Sequence, residues 1–179
     1  MFFFQPFNCG GSARHLPVPL PPEFANGPLV LDIVQLSEYA GENVGSKRHS
    51  ETVYRKGLPW NIMAKFNTKK DSTEKWLDFY LQCAAPKEEP NWSFKCLATL
   101  QIVSQMNGTK DWTGKFSDVV FTNKLDAWGF YTFISFAELM IPSKGLYDEY
   151  GDKVTLAIDF TADETENCQN LKDKSVLES

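Results

Sequence analysis

Between positions 92 and 102 the chain alternates strictly. Trp92, Phe94, Cys96, Ala98, Leu100 and Ile102 fall on one side, and Ser93, Lys95, Thr99 and Gln101 fall on the other. A period of two is the mark of a strand with one face in an apolar core and the other toward water. A helix would spread the same apolar residues around its whole circumference, so this stretch commits the chain to a sheet.

The same period recurs. Leu29, Leu31 and Ile33 alternate with Val30, Asp32 and Val34, and Leu36-Ser37-Glu38 closes that strand before a polar loop. Positions 45–56 mix charges with Val53 and Tyr54, which predicts an edge strand or two short ones, since Lys and Arg discourage edge-to-edge pairing. After Gly57, Trp60, Ile62, Ala64 and Phe66 point one way while Asn61, Met63 and Lys65 point the other, predicting a half-buried strand. Leu77, Phe79, Leu81 and Cys83 share a face of the next one. Asn107-Gly108 marks a turn, and 115–121 reads as a further short strand. Residues 128–140 continue through Phe130, Phe133, Ile134 and Phe136, with one helical turn over 135–140 that Pro142 stops. After a loop at 145–151, Val154, Leu156, Ile158 and Phe160 make the closing strand. Many short strands with hardly a helix predict an all-β antiparallel sandwich.

A length of 179 residues fits one domain with tails. Gly10-Gly11 and Pro17, Pro19, Pro21 and Pro22 make residues 1–27 an extended or disordered arm; the domain occupies 28–163; and 164–179, polar without period, is a tail or linker. The formal charge of −5, with Lys and Arg scattered, argues against nucleic acid as a partner. Met1-Phe2-Phe3-Phe4 lacks a basic flank and is too short for a signal peptide, and no stretch approaches the ~20 apolar residues of a membrane span. No membrane association is therefore expected, and the cytoplasm or nucleus is the expected location.

The four cysteines, at 9, 83, 96 and 168, and the two histidines, His15 and His49, match no zinc spacing, so no metal or cofactor is expected. Cys83 and Cys96 stand in apolar alternating stretches and read as buried reduced thiols, with a disulfide as the alternative. Asn91-Trp92-Ser93 and Asn107-Gly108-Thr109 fit the glycosylation triplet, which matters only in a secreted protein; an extracellular adhesion or meprin-like domain is the competing reading. Two histidines give poor material for a Ser-His or Cys-His pair, and Asp148-Glu149, Asp152 and Asp163-Glu164 read as solvated turns. A non-catalytic chain is expected.

Recognition remains, and it points to Trp128-Gly129-Phe130. A Gly between two large rings admits a backbone conformation closed to other residues while both rings pack nearby. Aromatic rings beside small polar groups anchor an extended peptide economically, which makes Trp128, Gly129, Phe130, Asp126, Ser117 and Lys115 the candidate peptide-binding residues. The alternatives are that Trp128 and Phe130 are core, and that Ser117 and Lys115 lie on a solvated strand face.

Those residues carry a resemblance. Leu58-Pro59-Trp60-Asn61-Ile62-Met63, Phe79-Tyr80-Leu81-Gln82-Cys83-Ala84, Trp92-Ser93-Phe94-Lys95-Cys96, Trp128-Gly129-Phe130 and Asp152-Lys153-Val154-Thr155-Leu156, in that order, resemble the MATH (meprin and TRAF homology) domain. They are similar in particular to the TRAF-like substrate-binding domain of ubiquitin-specific proteases. The resemblance implies an eight-stranded sandwich that binds short Ser-containing linear motifs of partner proteins, ubiquitin-pathway components among them, by adding the peptide beside a strand near Trp128. It implies that Trp128 packs on the peptide beside Gly129 and that Ser117 hydrogen-bonds it. Lys115 and Lys56 fall where the family has arginines, and Lys forgoes the bidentate fork. Phe66 is counted with these peptide-contacting residues. Where the family has an acidic residue directly before the Trp, this chain has Ala127, with Asp126 one place earlier. Neither protease boxes nor a BTB-type segment accompany the match, and no heptad run is present to drive a trimeric coiled coil, so a monomer is expected of the isolated domain.

Overall fold

The structure, a computed structural model, describes residues 27–42, 44–87 and 92–165. The arm expected over 1–27 and the tail over 164–179 lie outside these, apart from Gly27, Glu164 and Thr165. Two antiparallel sheets contain β1 (Leu29–Val34), β2 (Lys47–His49), β3 (Val53–Arg55), β4 (Leu58–Thr68), β5 (Lys75–Cys83), β6 (Ser93–Ile102), β7 (Trp112–Thr122), β8 (Ala127–Ser135) and β9 (Lys153–Glu164). One sheet runs β1-β9-β6-β7; the other runs β2-β4-β5-β8, with β3 also on β4. β2 pairs with 63–65 and β3 with 58–60, so the two are halves of one interrupted edge. Each sheet therefore has four strand positions, and the eight-stranded sandwich expected from the sequence is what forms.

The inward faces meet on one indole. Trp60, wholly buried on β4, lies 5.4 Å from Phe121, 5.2 Å from Phe160 and 6.5 Å from Phe94 by ring centroids, so a single side chain of one sheet engages three strands of the other. Its Nε1 donates to the Arg55 carbonyl at 3.2 Å, which satisfies the one polar group the burial would strand. The alternating face of β6 and the apolar face of β5 complete this core. Cys83 and Cys96 are both in it, and burial pushes the Cys96 thiol up to about 12.

Several elements depart from the sequence reading. A helix, α1 (Leu36–Gly41), stands where a polar loop was expected, because Leu36, Tyr39 and Ala40 present an i, i+3, i+4 apolar stripe too short to show a period. The Tyr39 hydroxyl donates toward the Ser46 and Ala64 carbonyls at 2.9 and 3.0 Å, clamping α1 to β4. β4 is not half-buried: Asn61 and Met63 on its outward face are buried as well. Phe66 belongs to the core, only 4% exposed and packed between Tyr39 and Phe136. β7 begins at Trp112, well before 115, and Trp112 Nε1 donates to the Phe133 carbonyl at 3.1 Å. β9 continues into the polar stretch, where Asp163 and Glu164 pair with Lys95 and Phe94. The helical turn near 135–140 is α2 (Phe136–Leu139), capped by the Ser135 hydroxyl accepting from Glu138 N–H at 3.1 Å.

Trp60→Ala removes the ring that joins the sheets, and chemical denaturation should show a loss of about 3–5 kcal/mol. Burial holds Tyr39 protonated to about 12, above the ordinary value of 10. In the unfolded chain this phenol ionises first, so stability should fall as pH rises from 10 toward 12, and a Tyr39→Phe variant should show a shallower fall.

Candidate peptide-binding edge

β7 and β8 follow one another in the chain yet belong to different sheets, and each is the last strand of its own. The turn between them is closed by Thr122 N–H to Leu125 O at 3.0 Å and Leu125 N–H to Thr122 O at 3.1 Å. One side of the sandwich thus presents two strand edges without a neighbour among the described residues, and an extended segment is what such an edge can accept.

The phase of the β8 edge follows from one hydrogen bond. Cys83 N–H donates to the Asp126 carbonyl at 2.8 Å, and β5 and β8 then register Gln82 with Ala127, Leu81 with Trp128 and Tyr80 with Gly129. Bonded and non-bonded pairs alternate in an antiparallel ladder. Asp126 and Trp128 therefore turn their peptide groups toward β5, while Ala127 and Gly129 turn theirs to the open edge.

Non-bonded pairs bring Cα atoms closest, and here the approach is extreme. A Cβ on Gly129 would sit 2.6 Å from the Tyr80 Cα and closer still to the Phe79 carbonyl oxygen. Gly129 is required by backbone against backbone, not by the special backbone conformation expected from the sequence: its φ lies outside the left-handed range. With Ala127 and Gly129 on the outward side, the open end of β8 carries almost no outward bulk, and Tyr80 of β5 stands behind it.

Trp128 registers with Leu81 and Phe130 with Phe79, both core residues, so the two rings project on the inter-sheet side of β8. Their fates differ. Phe130 packs 5.3 Å from Phe133 and against Gly114 of β7, where a Cβ would collide with its ring. Trp128, nearer the end of the sandwich, is 42% exposed with no ring or hydrogen-bond partner among the described residues. An indole open to solvent at an edge strand leaves apolar surface uncovered there.

A bulge sets this edge. Leu77 faces Ile134 and Phe79 faces Phe130, which leaves 131–133 opposite Asp78 alone. The fully buried Asp78 carboxylate fills the gap, accepting Thr132 N–H at 2.9 Å and lying 3.6 Å from Lys65 Nζ; Thr132 is left-handed, with φ 58°. The Tyr80 hydroxyl donates toward Asp78 at 3.4 Å, and burial followed by the Asp78 charge pushes its phenol up to about 12. Tyr80 and Asp78 were missed in the sequence reading. Tyr80 was legible as the outward residue of its strand; Asp78 was not, because only the three-against-one pairing creates its niche.

The structure brings Trp128, Gly129, Phe130 and Asp126 together. Asp126, two residues before Trp128 in the ladder, shares its side, as a residue at 127 cannot. Lys115 and Ser117 are placed elsewhere. Lys115 pairs with Thr99 on the outer face of β7, and with Ser117, Thr99, Leu97 and Phe116 it lines a shallow cleft of about 340 Å³ at the β6–β7 bulge. Beside it, Lys95 holds Asp118 at 2.6 Å and lowers that carboxyl below its ordinary range. Lys56, with φ 52°, forms the two-residue turn into β4 with Gly57, and β4 and β5 separate it from β8. Phe66, counted among the peptide-contacting residues, is instead core, covered by Tyr39 and Phe136 and away from the β8 edge.

Comparison with known proteins agrees with this architecture. A model of the MATH domain matches residues 29–160, from the start of β1 to Phe160 within β9. The chain belongs to the MATH domain family. Among its relatives is the "Ubiquitin carboxyl-terminal hydrolase 7" of Drosophila melanogaster, 29% identical over 118 residues, or 66% of this chain and 10% of that protein. Another is the "BTB and MATH domain-containing protein 38" of Caenorhabditis elegans, 27% identical over 139 residues, or 77% of this chain and 32% of that protein. The chain thus spans a tenth to a third of these relatives, the part that corresponds to the MATH domain described above.

Gly129→Ala forces a Cβ into the β5 backbone and should cost about 1–3 kcal/mol in urea denaturation. Gly57→Ala, whose Cβ meets nothing within 4 Å, provides the contrast of φ strain without a clash.

Proposed function

We propose that this MATH domain is a non-catalytic peptide-recognition module that takes short Ser-containing linear motifs of partner proteins in extended form along β8. The observation that carries the reading is the solvent-open Trp128 indole beside the peptide groups of Ala127 and Gly129, which have no strand partner among the described residues. A peptide strand added there forms its backbone bonds to Ala127 and Gly129, which are blind to sequence, and lays an apolar side chain on Trp128. The Asp126 carboxylate, on the same side as the indole, accepts a hydrogen bond from a Ser hydroxyl two residues along the ligand. Tyr80, behind the cut-away at Gly129, offers a second ring on the outward side.

The names of the relatives give this recognition its setting. A module shared with a ubiquitin hydrolase and with a BTB and MATH protein suits the recruitment of substrates to ubiquitin-pathway machinery, either a deubiquitinase or a ligase. Cytoplasm or nucleus follows as the site of action, in keeping with two core thiols. Titrating fluorescent Ser-containing peptides against the wild type and Trp128→Ala should show affinity falling roughly tenfold or more in the variant. Equal affinities would place the ligand elsewhere and refute the reading.

A further inference from the structure

At the end of the sandwich away from Trp128, the loop after β6 and the segment between α2 and β9 enclose a second cleft of about 380 Å³. Met106, Met140, Pro142 and Tyr147 supply apolar lining, and Asp148 and Glu149 stand at its rim. The walls are fixed to one another. Gln105 N–H donates to the Gly145 carbonyl at 2.7 Å, and a Cβ on Gly145 would come within 3.0 Å of Thr109 and Met106, so the two loops touch through a glycine. Tyr147 is tethered by its hydroxyl to Asp152 at 2.8 Å.

Charge selects the occupant. No Lys or Arg lines the cleft: Lys144 pairs with Glu138 at 2.6 Å and lies over Trp112, Lys153 pairs with Asp32 at 3.8 Å, and Lys110, exposed in the loop after β6, is not part of the lining. Neither Asp148 nor Glu149 takes part in an ion pair among the described residues; the Asp148 carboxylate accepts the Tyr150 and Gly151 amides. Two uncompensated carboxylates over an apolar floor are complementary to an ammonium or guanidinium beside an apolar group. Met106 and Met140, unbranched and polarizable, adapt to varied aromatic or aliphatic side chains. Met106 and Tyr150 are exposed, leaving apolar surface uncovered at the mouth.

We infer that this cleft is a second docking site, for a basic-apolar segment of a partner protein in which Lys or Arg flanks an aromatic residue. The seven residues of β8 that follow Trp128, at about 3.3 Å each, separate it from that indole, so one partner can engage both through different stretches.

The four methionines make the test direct, since Met1, Met63, Met106 and Met140 give separate methyl signals in methyl-labelled protein. The full chain is titrated with the peptide Gly-Arg-Phe-Lys-Gly and, as control, with Gly-Glu-Phe-Glu-Gly. The basic peptide should shift Met106 and Met140 saturably and leave Met63, on the outward face of β4, in place. The acidic one should shift neither. Glu149→Lys should weaken the basic peptide about fivefold or more with Met63 unmoved as the mark of an intact fold, and Trp128→Ala should leave the affinity unchanged. Loss on Trp128→Ala, equal response to both peptides, no shift at millimolar peptide, or shifts that track protein concentration alone and so report a second copy, would each overturn the inference. A failed Ser-peptide titration with a positive result here would sink only the β8 reading.

Discussion

The rest of the β8 edge depends on one close approach, that of the Gly129 backbone to the Phe79–Tyr80 backbone across the β5–β8 ladder. No side chain fits there, so this stretch of β8 lies flush on its neighbour and its peptide groups at Ala127 and Gly129 face the open side. A few residues further on, Asp78 accepts Thr132 N–H and lets β8 bulge, which re-aims the strand without breaking it. These two fixtures hold the strand from both ends, and that matters to the proposal, because an edge ordered only on binding would spend affinity on its own immobilisation.

Unpaired edges are usually a hazard, and proteins blunt them with charge, bulges or short strands. This domain does so on the far side of the same sheet, where the edge is broken into β2 and β3 and carries Lys47, Arg48 and Arg55. It does not do so along the start of β8. Phe130 is locked against Phe133 and Gly114 while Trp128, on the same side of the same strand, is left in solvent. This contrast between two like residues, one packed and one open, is what the proposed recognition role of Trp128 rests on.

Much of the fold was legible in the sequence, because burial on one face imposes period two and residues such as Trp92 to Ile102 have no other way to satisfy it. What escaped depends on contacts distant in the chain. α1 is too short to show a period; β9 keeps pairing through Asp163 and Glu164 because the ladder to β6 outlasts its apolar residues; Asn61 and Met63 are covered on a face that alternation assigns to water. At the site, Trp128, Gly129, Phe130 and Asp126 were legible as a cluster on one strand. Lys115 and Ser117 were not, because the face a strand residue takes is set by register, and a bulge at β6–β7 changes that register just there. Phe66, counted with the peptide-contacting residues, is a core residue, as its own alternation on β4 indicated.

The most direct test of an open, phase-defined edge is amide hydrogen exchange along β8 with and without a saturating Ser-containing peptide. Ala127 and Gly129 should exchange quickly in the free domain and slow by about tenfold or more in the complex, while Trp128, already bonded to β5, should hardly change. Protection that instead appears at Trp128 alone, or on β1 or β2 with Ala127 and Gly129 still exchanging freely, would contradict the account.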